Sequence, residues 1–252
     1  MTGAPPSREE MVALFDEVRV TGEQEGAVVR ALGGVGVLLR TPAAPGSLRR
    51  EIGDVDVITR RNMRGEMERA LKRCGLTPEL EFNALQGTRR QIWWMADGRT
   101  HVDVFLGQFE MCHTLELEDR LVEGHRALPA ADLLLTKLQI VELNIKDAMD
   151  AAALLASNEV GDGDGDDTIN RARLVEVLSR DWGFYTTASD NLEKLPMLIR
   201  ELDPAAADRA EQTARQIVEL IEESPKSRGF KMRARVGRRA KWYELPDESL
   251  VG

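Results

Sequence analysis

The segment Gly53-Asp-Val-Asp-Val-Ile58 constrains the fold of this chain more than any other. Two aspartates two apart, interleaved with β-branched apolar residues, are accommodated together by an extended strand, because strand side chains alternate between faces. Val55 and Val57 then belong to a core-facing strand, and Asp54 and Asp56 share its other face. A third aspartate, Asp103, interrupts the apolar run His101-Val-Asp-Val-Phe105 and points opposite to its two valines. An acid on a core-building strand is costly unless it is paired or metal-bound. Upstream, the apolar, β-branched run 27–32 breaks at Gly33-Gly34, which reads as a buried strand entering a tight glycine turn.

Three acids on two neighbouring strands offer hard oxygen ligands for divalent cations such as Mg2+ or Mn2+. That set suits two-metal phosphoryl transfer. One ion activates an attacking oxygen, and the other holds a triphosphate and neutralises the leaving pyrophosphate. Gly33 and Gly34, having no side chains, let backbone N–H groups approach phosphate oxygens at a helix start. Taken singly, an Asp-x-Asp is more often a solvated face or turn, and a lone Gly-Gly is weaker still. The order carries the reading: apolar strand, Gly-Gly, loop, Arg50, Asp-x-Asp, helix, hairpin, third Asp.

The remaining pattern is α+β. A helix is expected over 7–20, with Ser7 and Glu10 as a capping box and Met11, Leu14, Phe15 and Val18 as its apolar stripe. Another is expected over 64–74, stopped by Gly75. Strands over 90–95 and 100–106 flank the turn signal Asp97-Gly98. From Pro129 onward the periodicity is helical, with helices expected over 131–143, 146–156, 169–180, 191–202 and 204–223. Asp190 and Asp203 are placed as N-caps of the last two, and Asp181 to Tyr185 as a helix C-terminus. The tail 225–243 holds eight Lys or Arg and no acid. Phe230, Met232 and Ala234 alternate there with Lys231, Arg233 and Arg235, which reads as a strand with one basic face. Such a strip is either a solvated edge or an electrostatic track for RNA or substrate phosphates. The expected organisation is a mixed sheet flanked by helices in 1–125, a helical domain in 126–224 and a short basic β-like segment in 225–252.

With these residues in place, the chain resembles the minimal nucleotidyltransferase superfamily of the polymerase-beta type, and within it the AbiEii-like nucleotidyltransferase toxins. The resemblance rests on Gly33-Gly34, Arg50 four residues before Asp54-Val-Asp56, and Asp103. It continues through Leu133-Leu-Leu-Thr-Lys-Leu-Gln139 and Asn144-Ile-Lys-Asp-Ala-Met-Asp150, covering roughly 27–157. It implies a nucleotidyltransferase-type fold and transfer of a nucleoside monophosphate from an NTP to a hydroxyl acceptor. Asp54, Asp56 and Asp103 would hold Mg2+ or Mn2+. Gly33, Gly34, Arg50, Lys137 and Asp147 would serve nucleotide binding. The acceptor would be a tRNA end, a protein or a small molecule, and a small antitoxin a partner. Val35 and Ile52 stand where the family carries hydroxyl residues, so a catalytically inactive nucleotide- or RNA-binding module on the same scaffold is the alternative. Lys137 reads, without the resemblance, as a lysine that either snorkels out of an apolar helix or meets phosphate.

Composition narrows the setting. The longest apolar run is too short for a membrane span, the first residues do not read as a secretory signal, and Cys74 and Cys112 give neither disulfide framework nor metal spacing. A cytoplasmic protein is expected. A net charge of −9 argues against a surface that binds nucleic acid everywhere but leaves room for a local basic patch. The acidic run 161–167 begins like a calcium loop, yet Asp167 and Arg173 stand where such a loop needs Gly and Glu.

Overall fold

The structure, a computed structural model, describes residues 5–122 and 124–245. They form two compact units, the first within 5–39, 51–109 and 116–128, the second within 40–50, 110–115 and 129–245.

In the first unit, α1 (Arg8–Glu25) opens with the capping box: Ser7 Oγ accepts the Glu10 N–H at 3.2 Å and Glu10 Oε2 accepts the Ser7 N–H at 2.6 Å. Its apolar stripe is buried with Met67 and Leu71 of α3 (Arg64–Arg73) and the core face of the sheet. The helix outruns the expected 7–20, because Gly22 tolerates the close pass of Val29 and Gly26 ends it in the left-handed region at φ 93°. A two-residue β1 (Arg30–Ala31) leads into α2 (Gly33–Arg40). With β2 (Val55–Thr59), β3 (Thr77–Pro78), β4 (Arg90–Trp94) and β5 (His101–Leu106) it makes a mixed sheet in the order β1-β2-β5-β4-β3. Within this sheet β2 and β5 pair parallel, and β1–β2, β4–β5 and β3–β4 pair antiparallel. Val55, Val57, Val102, Val104 and Trp93 line one face and join the core. Burying each such side chain is worth roughly 1.5–3 kcal/mol, and a one-residue slip would exchange these valines for Asp56 and Asp103, so register is strongly specified. The short α4 (Leu80–Gln86) rests against β4. A two-stranded ladder of β6 (Gln108–Glu110) and β7 (Thr114–Glu116) follows.

The second unit is mainly helical: α5 (Ala130–Leu138), α6 (Ile145–Ser157), α7 (Arg171–Leu178), α8 (Trp182–Ile199), α9 (Pro204–Glu223) and α10 (Arg228–Val236). Two short parallel strands, β8 (Glu159–Gly161) and β9 (Thr168–Asn170), bracket the acidic loop. In that loop Asp162 pairs with Arg171 and Asp166 with Arg40, and Asp164 accepts from Asn170.

Several expectations need correction. α5 stops at Leu138 instead of 143, and the Asn191 side-chain amide takes the carbonyls of Leu138 and Ile140 beyond its end. α8 starts nine residues earlier than expected, at Trp182, and its N-cap is Asp181, whose carboxylate accepts the Phe184 N–H at 3.0 Å. Asp190 therefore lies inside the helix and pairs with Arg238. Burial and side-chain bonds of Thr186 and Thr187 override the weak helix propensity of that stretch. The tail is not β-like. Residues 228–236 are a helix capped by Ser227, whose Oγ accepts the Phe230 N–H. A run of Arg, Lys, Met and Ala with no partner strand satisfies its backbone internally, and the apparent alternation does not survive as two faces.

Candidate functional site

The site grows from the face of the first sheet opposite the core. Asp54 sits on the bend leading into β2, and Asp56 lies on β2 as the register partner of Asp103 on β5. Parallel partners project to the same side, as do residues two apart, so Asp54, Asp56, His101 and Asp103 share that face. The carboxylates of Asp54 and Asp103 and the His101 imidazole each present an atom within 4.8 Å of the others, a spacing one metal ion can bridge. Asp56 leans elsewhere: a Cβ built on Gly33 would stand 1.7 Å from Asp56 Oδ2. Only glycine admits that approach, and its φ of 57° turns the chain from β1 into α2. Gly34 is buried in the first turn of that helix.

Asp103, only 2% exposed, is held by its own sheet. Arg90 forks onto it, Nε to Oδ1 and Nη2 to Oδ2, both at 2.9 Å, and His101 Nε2 stands 3.4 Å from Oδ2. The Arg90 guanidinium lies 5.4 Å from each of the Phe82 and Phe105 ring centres. Burial by itself would raise the Asp103 carboxyl; hydrogen bonds from His101 and Arg90 outweigh it and hold Asp103 below its ordinary value. The same bond to Asp103, against burial, raises His101, with Asp54 and Asp56 adding to the effect. Sequence reasoning missed both residues, although alternation carries a signal for each. His101 is two before Asp103, and across the Asp97-Gly98 hairpin Arg90 is diagonal to Asp103, since Ile92 is its direct partner.

Arg50, Lys137 and Asp147 belong to the second unit and to a different network. Lys137, 8% exposed, meets Asp147 Oδ1 at 2.9 Å and Asp150 Oδ2 at 3.0 Å. Arg50 forks onto Asp150 at 3.0 and 2.8 Å. Burial would lower the Lys137 ammonium, but Asp150 and Asp147 raise it. Asp147 also accepts from the Asn144 amide, and its backbone N–H is capped by that residue. Two cations and two carboxylates satisfy one another here. Val35 and Ile52, at the positions where hydroxyls were absent, are both packed in the first unit's core.

No family model matches the chain, and no curated protein matches it. Among solved structures, it is similar to a solution structure of the antibiotic-resistance factor ANT(2'')-Ia, with a TM-score of 0.44 and 10% sequence identity, over 77% of this chain and 97% of that one. Likeness at that level does not bear on what this chain does.

Proposed function

We propose that the first unit is the metal-binding core of a nucleotidyltransferase, transferring a nucleoside monophosphate from an NTP to a hydroxyl acceptor. The observation that carries the reading is the cluster of Asp54, His101 and Asp103, on a sheet face where Asp56 stands in register with Asp103. Two carboxylates and an imidazole fit a divalent cation, and the imidazole favours Mn2+ over Mg2+. A bound ion would polarise phosphate oxygens and neutralise the charge of the leaving pyrophosphate. The chain's own residues would do the positioning. Asp54, from the bend before β2, and His101 and Asp103, from β5, would hold the ion, and the backbone at Gly33 and Gly34 offers N–H groups at a helix start. Arg50, Lys137 and Asp147 are not needed in this reading, because their charges balance with Asp150.

One observation favours a second reading, a catalytically silent nucleotide- or RNA-binding module. Arg90 already supplies Asp103 with a cation from the chain itself. Pyrophosphate release separates the two. Native protein with Mn2+ or Mg2+, each of the four NTPs, and tRNA, a protein mixture or an aminoglycoside as acceptor should release pyrophosphate. Asp54→Asn should lower the rate at least a hundredfold. Release that survives Asp54→Asn, or none in any combination, overturns the enzymatic reading.

A further inference from the structure

The second unit holds a cavity of about 530 Å3 beside the start of α8, a volume in the range of small-ligand sites. Its walls include the rings of Trp182, Trp242 and Tyr243, with Arg180, Arg233 and Lys241 among them. Trp182 and Trp242 meet edge to face at 6.1 Å, and Trp242 and Tyr243 at 5.3 Å. The rings are partly exposed, and each carries a cation over one face: Arg233 over Trp182, Arg238 over Trp242 at 5.0 Å and Lys241 over Tyr243 at 5.4 Å. The assembly is also built. The Trp242 indole donates to Thr187 Oγ1 at 3.2 Å, the Glu244 N–H donates to the Cys112 carbonyl, and Arg233 lies 4.8 Å over Trp182. Arg233 is fixed by donating to the carbonyls of Gly237 and Ala240 at 2.7 Å. The main chain of Trp242 passes so close to Gly183 that a Cβ there would lie 2.7 Å from its carbonyl oxygen.

The surrounding charge is segregated. Phe230 is buried on α10, and at 100° per residue Arg228, Lys231 and Arg235 fall within one arc on the opposite, exposed side. Arg239 and Lys241 are exposed just beyond. Within a chain of net charge −9 this segment carries eight cations and no acid between 225 and 243. Three carboxylates, Glu110, Asp181 and Glu244, also line the cavity and would repel a triphosphate placed inside it. They suit the amine-bearing edge of a base instead.

The geometry points to a single-stranded nucleic-acid site: an unpaired base enters the cavity among the three rings, and flanking phosphates meet Arg180, Lys241 and the outward cations of α10. Partly exposed rings interleaved with cations are what single strands use, since every base has a π-face while a duplex keeps its bases stacked. An anionic membrane would use the cations but has no use for the cavity. The site is independent of the acids of the first unit.

Fluorescence anisotropy with a labelled 12-nucleotide single-stranded RNA tests it on the full chain, with the same sequence as duplex and phosphatidylserine vesicles as further arms. Native protein should bind the single strand with strong salt dependence and the duplex at least tenfold more weakly. Trp242→Leu should weaken binding about tenfold or more, while Trp242→Phe, which keeps a ring, should stay within about threefold. Lys231→Ala with Arg235→Ala, both at exposed positions, should reduce the log–log salt slope by up to about 1.4. Asp54→Asn with Asp56→Asn should leave binding unchanged. Equal affinity for duplex and single strand, vesicle binding without RNA binding, no RNA binding at low salt, or indifference to Trp242→Leu in a variant whose circular dichroism matches the native protein would each overturn the proposal.

Discussion

Both carboxylate oxygens of Asp103 are taken by Arg90, so a divalent cation at this position must share or displace a guanidinium held between two rings. Removing one partner of a buried ion pair costs about 3–5 kcal/mol, because the other charge is left in a low-dielectric site. Arg90→Met should therefore lower the unfolding free energy by about 3 kcal/mol in metal-free buffer. The same change frees Asp103, so Mn2+ affinity read by electron paramagnetic resonance should rise about tenfold. Unchanged or weaker Mn2+ binding would mean that Arg90 organises the site rather than competes for it. His113 gives a separate residue-level handle. It stacks on Phe184 at 5.2 Å and bonds Thr187 Oγ1 at 2.9 Å, and burial, partly offset by Asp181, holds its imidazole below the ordinary 6.5. As pH falls, the unfolded chain takes up that proton before the folded one does. Its contribution to stability is complete above about pH 6.5 and lost as pH drops through the folded value. His113→Gln should flatten the pH dependence of the urea midpoint between pH 7.5 and 5.5, and an unaltered slope would sink this assignment.

Elements show where sequence patterning was sufficient and where it was not. The turn at Gly33 couples a backbone requirement to a contact: φ is 57°, and any Cβ would strike Asp56. Gly75, at φ 77°, ends α3 with open space around the missing Cβ. Gly75→Ala should cost only the left-handed backbone term, about 1–2 kcal/mol, and Gly33→Ala clearly more, as read by chemical denaturation. Equal costs would mean that Asp56 swings away freely. The acids, the glycine turn, the hairpin and the first capping box were readable because each rests on local chemistry or on period-two alternation. Arg90 and His101 were not singled out from the sequence; carrying that alternation along β5 and across the hairpin to a diagonal neighbour is the signal that would have found them. The start of α8 and the helix at 228–236 were not readable. The first depends on distant partners of Thr187, and the second mimics strand alternation over a stretch too short for the periods to separate.

At the scale of the molecule, the two units carry different chemistry: acids on a sheet face in the first, rings and cations around a cavity in the second. Among the described residues no helix is long and apolar enough to cross a membrane. The central claim is that the sheet-face acids hold a metal–nucleotide complex, and thermal unfolding with and without ligand tests it most directly. A ligand at a hundred times its dissociation constant stabilises the folded state by about 2.7 kcal/mol. For a chain of this size that amounts to a rise of about 5 °C or more in melting temperature. Native protein should show that rise with NTP and Mn2+ together, a smaller one with Mg2+, and none with NTP in chelator. Asp54→Asn with Asp56→Asn leaves the Arg90–Asp103 pair in place and should abolish the rise. The same rise in the double variant, or none in the native protein with any NTP and either metal, would contradict the account.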